Sequence, residues 1–159
     1  MNKPRPNWKH GSRFRRIGEF AVNAAPEELF PLLCPVREYD WIPDWRCTMV
    51  FSESGAAEKD TIFHTAFAFG KKVVWTLITF EPASFVEYLM VSGTDAVVRL
   101  SIGLASDGSG GTRVHWEMLF TSSSRLGTSI LRRHFSEEAF HAMMTERRDQ
   151  LNRYFARAG

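Results

Sequence analysis

The sequence predicts an α+β domain in which a curved, seven-stranded antiparallel sheet wraps around a long C-terminal helix. Three observations predict this fold. Strand-like runs follow one another through connections too short for parallel crossovers. One hairpin separates apolar from polar residues onto opposite faces, and residues 124–157 carry a helical apolar stripe. Two short helices after the first strand complete the predicted order.

Length and composition fit one globular domain. The chain has 159 residues, of which 44% are hydrophobic and 24% charged, and its thirteen Phe and five Trp indicate a wide core or an apolar cavity. The formal net charge of +2 is too small to indicate nucleic-acid binding. No run of about 18 apolar residues occurs, so no transmembrane segment is predicted. We expect a flexible basic arm at residues 1–12 and a single ligand-binding domain at residues 13–159.

The two cysteines, Cys34 and Cys47, indicate a reducing compartment, so the predicted location is cytoplasmic. They are too few, and too far from any pair of histidines, for a zinc site. No metal and no cofactor is therefore predicted.

The first strand is predicted at residues 13–23 and is followed by a short helix. Pro26 suits the first turn of that helix, and Glu27 and Glu28 favour its positive end. Pro31 and Pro35 end the helix, and a second helical turn is predicted through residues 37–39.

Six further strands follow, each bounded by turn residues, at residues 46–53, 61–69, 72–80, 85–92, 96–105 and 112–122. Folding the last hairpin about Ser109 places only apolar pairs on one face, and a slip of one residue would mix the faces. These pairs are Leu104 with Val114, Ile102 with Trp116, Leu100 with Met118, and Val98 with Phe120.

Both faces of the middle strands, residues 61–92, are fairly apolar, so the pattern leaves the inward face open. A symmetric turn at Gly70 would place His64 on one face with Trp75, Leu77 and Tyr88. On that face His64 could act as an acid or base, and otherwise it is a hydrogen-bonded core residue.

The C-terminal segment, residues 124–157, is predicted to be one amphipathic helix, although Gly127 leaves its start open. Arg147 lies inside its apolar stripe, where stripping water from a guanidinium is costly. It either holds a carboxylate, phosphate or keto oxygen of a ligand, or it is paired internally or extended to solvent. The apolar stripe consists of Phe140, Met143, Met144, Leu151, Tyr154 and Phe155.

An aromatic and acidic segment, residues 38–45, precedes the second strand. Its aromatic side chains form either a rim over a cavity or a plug that closes one end of the fold. Its carboxyl groups, on Glu38, Asp40 and Asp44, could serve as acid and base or could simply be solvated. The predicted rim residues are Tyr39, Trp41 and Trp45.

Three stretches carry a family resemblance: FAVNAAPEELFPLLCPVREYDWIPDW, WTLITFEPASFVEY and GGTRVHWEMLF. With the element order, they resemble the SRPBCC or START-like superfamily, which has the helix-grip fold, and within it the polyketide cyclase/dehydrase and lipid transport-like group. The resemblance spans about residues 13–157 and implies a ligand cavity between sheet and helix. Members carry lipids, hormones or polyketides, and a minority are enzymes. No short catalytic signature defines the family, so no catalytic residue is predicted.

The predicted function is binding of a small hydrophobic molecule, such as a lipid, polyketide or isoprenoid, without catalysis. Two alternatives stay open: a cyclase or dehydratase that uses the same cavity, and a protein- or membrane-surface role for the basic arm and the Trp-rich rim. No protein partner is identified. The predicted ligand-binding residues are His64, Trp75, Tyr88, Val98, Leu100, Ile102, Val114, Trp116, Met118, Phe140, Met144 and Arg147.

Overall fold

The fold is a single antiparallel sheet with its helices on one side. A computed structural model describes residues 11–66, 72–93 and 95–158. The strands lie in the spatial order β1-β7-β6-β5-β4-β3-β2. Two 3₁₀ turns, Phe30–Leu33 and Glu38–Asp40, follow the first helix. The other elements are β1 (Ser12–Val22), α1 (Pro26–Leu29), β2 (Cys47–Phe51), β3 (Ile62–Ala66), β4 (Lys72–Glu81), β5 (Phe85–Ser92), β6 (Ala96–Ser106), β7 (Thr112–Ser122), α2 (Arg125–His134) and α3 (Glu137–Ala158).

The predicted fold class and the register of the last hairpin are confirmed. Leu104 pairs with Val114 and Ile102 with Trp116, as expected from folding about Ser109, and the pairing continues to Val98 with Phe120. The apolar members of these pairs are buried. This face is therefore the concave, inner side of the sheet.

Of the middle strands, β4 and β5 turn the face with Trp75, Leu77 and Tyr88 inward, and β3 turns inward the face that lacks His64. The predicted third strand is described only as far as Ala66, and residues 67–71, which include the expected turn at Gly70, lie outside the described residues. In the observed register Phe63 opposes Trp75, and His64 opposes Val74, which is 44% exposed. The expectation that His64 shares a face with Trp75 is therefore wrong. A turn centred on Gly70-Lys71 would oppose His64 to Leu77, whereas the observed partner is Val74, three residues away. An odd shift of this kind turns the side chains to the opposite face.

The C-terminal segment is two helices rather than one. The helical backbone stops at Phe135, whose φ is −109° and ψ 48°. Its side chain is buried and packs on Phe120, with ring centroids 4.7 Å apart. Ser136 restarts the chain as a cap, because its Oγ accepts from the Ala139 N–H at 3.2 Å. The long helix is therefore α3, and α2 is a separate element.

Helix α3 lies on the concave face, close to β1. A Cβ on Gly18 would come within 2.5 Å of the Met144 Cγ, so the missing side chain lets the helix approach the strand. The Asn152 amide accepts from the Asn23 N–H at 2.8 Å and donates to the Ala21 carbonyl at 3.2 Å. These contacts fix the helix along the edge strand and leave its inner face over the sheet.

The predicted arm falls mostly outside the described part of the chain. Residues 1–10 are not described, and Ser12 already belongs to β1, where it pairs with Ser122. A flexible arm therefore stays a prediction for residues 1–10.

Candidate ligand-binding site

Arg147 projects from the inner side of α3 into the interior. Its guanidinium donates to the Gln150 Oε1 at 2.8 Å and lies 5.9 Å from the ring centroid of Trp41. Burial lowers the pKa of Arg147, and the charges of Glu38 and Glu146 oppose this shift. No ion pair within 4.0 Å joins Arg147 to a carboxylate of the described residues. Arg147 is therefore a half-buried cation without a direct anionic partner in that part of the chain, although the Gln150 amide links it to the Glu146 carboxylate.

Glu38 faces the same interior from the 3₁₀ turn that precedes β2. Burial raises the pKa of this carboxyl to about 8, and the nearby charge of Arg147 lowers it in part. Glu38 is partly accessible, although the surrounding protein raises its pKa strongly. Near neutral pH this carboxyl group is mainly protonated, so it can donate a hydrogen bond.

Tyr88 connects this polar pair to an apolar cavity. Its hydroxyl donates to the Leu33 carbonyl at 2.9 Å, and burial, together with the charge of Glu38, raises its pKa. A cavity of about 300 Å³ lies between the first 3₁₀ turn, the loop before β3 and the β4–β5 hairpin. Its walls are formed by Phe30, Pro31, Leu33, Cys34, Ala56, Ala57, Phe80, Pro82, Val86 and Tyr88.

The three aromatic residues predicted as a rim lie at different depths. Trp41 is buried, and its indole N–H donates to the Leu32 carbonyl at 2.8 Å. Trp45 is half-buried and packs edge-on against Trp75, with ring centroids 6.2 Å apart. Tyr39 is 47% exposed and its hydroxyl bonds the backbone of Cys47. Trp41 and Trp45 thus pack into the interior, whereas Tyr39 lies at the surface.

Most of the residues predicted to bind a ligand lie on the concave face or on α3. Trp75 is half-buried against Phe63, and the indole N–H of Trp116 is buried with no acceptor among the described residues. His64 does not share this interior, for the reason given above. The other predicted wall residues are buried and belong to one core cluster: Tyr88, Val98, Leu100, Ile102, Val114, Trp116, Met118, Phe140 and Met144.

A second, more polar cleft of about 480 Å³ runs between β1 and α3. Ile17 and Gly18 of β1 and Phe140 and Met144 of α3 are among the residues that line it. Its charged and titratable lining comprises Arg15, Arg16, Glu19, Glu137, His141 and Arg148. This cleft lies at the edge of the sheet, away from the apolar cavity.

Sequence reasoning did not single out the cavity walls contributed by residues 30–34 and 80–86. Prolines interrupt the first of these segments, so it carries no helical period to reveal its inner side. Glu38 was grouped with Asp40 and Asp44, but only Glu38 faces the interior, since the Asp40 carboxylate pairs with Arg37 at 2.6 Å on the surface. No signal in an eight-residue segment distinguishes a buried carboxyl group from a solvated one.

Comparison with known proteins agrees with this architecture. The family profile described as polyketide cyclase/dehydrase and lipid transport matches residues 18–158. No curated protein matches the sequence. Within the described residues, no helix is long and apolar enough to cross a membrane.

Several solved structures share the fold at low sequence identity. An uncharacterised protein from Rhizobium leguminosarum aligns with a TM-score of 0.62 and 13% identity, over 93% of this chain and 97% of that one. Truncated norcoclaurine synthase from Thalictrum flavum aligns with a TM-score of 0.67 and 13% identity, over 89% of this chain and 95% of that one. DynU16, from the dynemicin biosynthetic locus, aligns with a TM-score of 0.61 and 14% identity, over 89% of this chain but 47% of its own length. At such identities the likeness shows the fold alone.

Proposed function

Because this chain belongs to the polyketide cyclase/dehydrase and lipid transport family, we propose that it binds a small, largely apolar molecule, with its apolar body in the cavity beside Tyr88 and its polar end towards Arg147 of α3. The observation that carries the proposal is Arg147, a half-buried cation at the border of the apolar interior without a direct carboxylate partner among the described residues. Such a group is costly to desolvate unless something compensates it. A polar oxygen on the bound molecule would supply that compensation.

The apolar cavity and the polar side chains of Arg147 and Glu38 bind different parts of the molecule. The cavity beside Tyr88 takes the apolar body of the molecule, since its walls are almost entirely hydrocarbon and aromatic. Arg147 takes an oxygen of the polar end, because a guanidinium presents several N–H donors, and among the described residues its side chain donates one hydrogen bond, to Gln150. Protonated Glu38 donates a further hydrogen bond near the same end.

The charge of the interior favours an acidic head group. With Glu38 protonated near neutral pH, the positive charge of Arg147 is not cancelled by Glu38, and the Glu146 carboxylate offsets it only through the Gln150 amide. A carboxylate or phenolate on an apolar body therefore fits the interior better than a neutral molecule of equal size. Above about pH 8 Glu38 ionises and competes for Arg147, so affinity for an anion should fall. The charge of Glu38 in turn raises the pKa of Tyr88 and of Cys47, in both of which burial is the larger cause, and the charge of Glu146 raises the pKa of Arg147.

The test compares an anionic and a neutral fluorescent probe, anilinonaphthalene sulfonate and N-phenylnaphthylamine. Arg147→Met keeps the aliphatic stem and removes the charge, and it should weaken binding of the anionic probe by about tenfold to a hundredfold, the value of a charged hydrogen bond. Arg148→Met, on the exposed neighbouring side chain, is the matched control and should leave binding unchanged. The neutral probe should bind both variants equally.

Native mass spectrometry of the protein from its own host should show a retained small molecule that the Arg147→Met protein loses. The proposal fails if neither probe binds with a saturable signal, or if Arg147→Met and Arg148→Met bind the anionic probe alike.

A cyclase or dehydratase activity is the second candidate, and the perturbed carboxyl group of Glu38 favours it. A pKa of about 8 lies in the range in which a carboxyl group both takes and returns a proton near neutrality. In a cyclisation, ionised Glu38 would take a proton from a carbon between two carbonyl groups, while Arg147 holds one carbonyl oxygen. The carbanion would form the new bond to a second carbonyl carbon, and Glu38 would return the proton to that oxygen. Turnover of a poly-carbonyl substrate that survives Glu38→Gln would dismiss this role.

A further inference from the structure

Helix α2 exposes two large apolar side chains on its outer face. Leu126 is 71% exposed and Ile130 is 55% exposed, and residues four apart lie on the same side of a helix. The opposite side, with buried Thr128 and half-buried Leu131, packs towards β7 and β1. At about 100° per residue, Arg133 falls on the outer face with the two apolar side chains. The outer face thus combines hydrocarbon with positive charge.

The charge of α2 has one sign. Its ten residues include no Asp or Glu, and its last turn contains Arg132, Arg133 and His134. The Arg132 guanidinium lies 4.7 Å from the ring centroid of Phe14, on the side of α2 that faces the sheet edge. Arg125 begins the helix and is also exposed. Acidic residues occur just beyond the ends of the helix, at Asp95 beside Ser123 and at the start of α3.

We propose that α2 docks on the surface of a bilayer that contains anionic phospholipid, with Leu126 and Ile130 inserted among the head groups and Arg125 and Arg133 at the phosphates. A short helix with apolar residues on one face and basic residues beside them has the composition of an interfacial segment. Anionic lipid attracts each nearby arginine, and the attraction adds to the burial of the two apolar side chains. This surface role goes beyond the interior ligand and does not depend on it.

The size and charge of the surface favour a membrane over a protein partner. A stable protein interface buries about 800 Å² on each partner, which two exposed apolar side chains on a ten-residue helix do not provide. A bilayer needs no complementary shape, and weak, reversible attachment suits a basic surface with a small apolar contact. Self-association through α2 would bring arginines of two copies together and is disfavoured by their repulsion.

The experiment measures sedimentation of the full chain with vesicles of equal parts phosphatidylcholine and phosphatidylglycerol, and with vesicles of phosphatidylcholine alone. The double variant Leu126→Ser and Ile130→Ser should lose at least about tenfold in affinity for the mixed vesicles, and Arg133→Gln about fivefold. The control is Val50→Ser with Phe51→Ser, a pair on β2 that is exposed to a similar degree. This control should bind like the wild type, and melting curves establish that each variant is folded.

Binding that requires phosphatidylglycerol, weakens with added salt and is lost only in the α2 variants supports the proposal. Three results would overturn it: no sedimentation with mixed vesicles, equal loss in the β2 control, or full binding by the α2 double variant, which would assign attachment to another part of the chain. Light scattering provides a further check. A wild-type dimer that becomes monomeric in the α2 variant would identify this surface as a contact between copies instead.

Discussion

Replacing Glu38 with glutamine removes a titrating group from the interior while keeping nearly the same shape. The carboxyl group has its ordinary pKa of 4.5 in the unfolded chain and a pKa of about 8 in the folded protein. Between these pH values the folded state holds a proton that the unfolded state has released. The contribution of Glu38 to stability is therefore fully present below about pH 4.5 and is lost as the pH rises to about 8.

The size of the effect follows from the same two pKa values. A difference of about 3.5 pKa units corresponds to about 5 kcal/mol at full ionisation, and about 3 kcal/mol of this accrues between about pH 6 and about pH 9. Partial access of solvent to Glu38 screens part of the charge. As the pH rises across this interval, we therefore expect the free energy of unfolding of Glu38→Gln to increase by about 1 to 3 kcal/mol relative to that of the wild type.

The assay is urea unfolding at several pH values, with the free energy of unfolding compared between the two proteins. Glu27→Gln, on an exposed side chain of α1, is the matched control for the loss of one carboxylate. If the free energies of wild type and Glu38→Gln run parallel from about pH 6 to about pH 9, Glu38 is not held in the apolar interior, and the reasoning about Arg147 loses its basis.

Three further predictions concern packing and hydrogen bonding, each measured as a change in the free energy of unfolding. Gly18→Ala should cost about 1 to 3 kcal/mol, because the added methyl group meets Met144. In a Met144→Ala background the same change should cost less, and an equal cost in both backgrounds would contradict the contact. Tyr88→Phe should cost about 1 to 2 kcal/mol, since the Leu33 carbonyl loses a buried donor, and a neutral result would mean that water replaces it. Ser124→Ala should cost about 1 kcal/mol, because its Oγ accepts an N–H in the first turn of α2 at 2.9 Å, whereas Ser124→Asp should keep most of the stability.

Segments with a single apolar face were well predicted from the sequence. In the β6–β7 hairpin the inner residues are apolar and the outer ones include Arg99 and Arg113, so any odd slip would bury charge. The apolar stripe of α3 likewise placed Phe140, Met144 and Leu151 in the core. The break before α3 was missed, although Ser136 followed by two glutamates is a typical helix start.

Segments with two apolar faces, or with no periodic pattern of apolar residues, were poorly predicted from the sequence. In β3 and β4 either face could have turned inward, and the pairing of Phe63 with Trp75 decided the matter. The cavity walls before Pro35 come from 3₁₀ turns, where burial follows from the elements packed around them.

The sequence by itself determined the order of elements, the fold class and the side of the sheet that α3 covers, because these depend on local periodicity and on turns between neighbours. Only the tertiary structure decided that Glu38 shares the interior with Arg147 and Tyr88. These three residues lie far apart in the chain, on a 3₁₀ turn, a helix and a strand. The pKa of a carboxyl group depends on the solvent and charges that other segments bring to it, and no local pattern of residues encodes that environment.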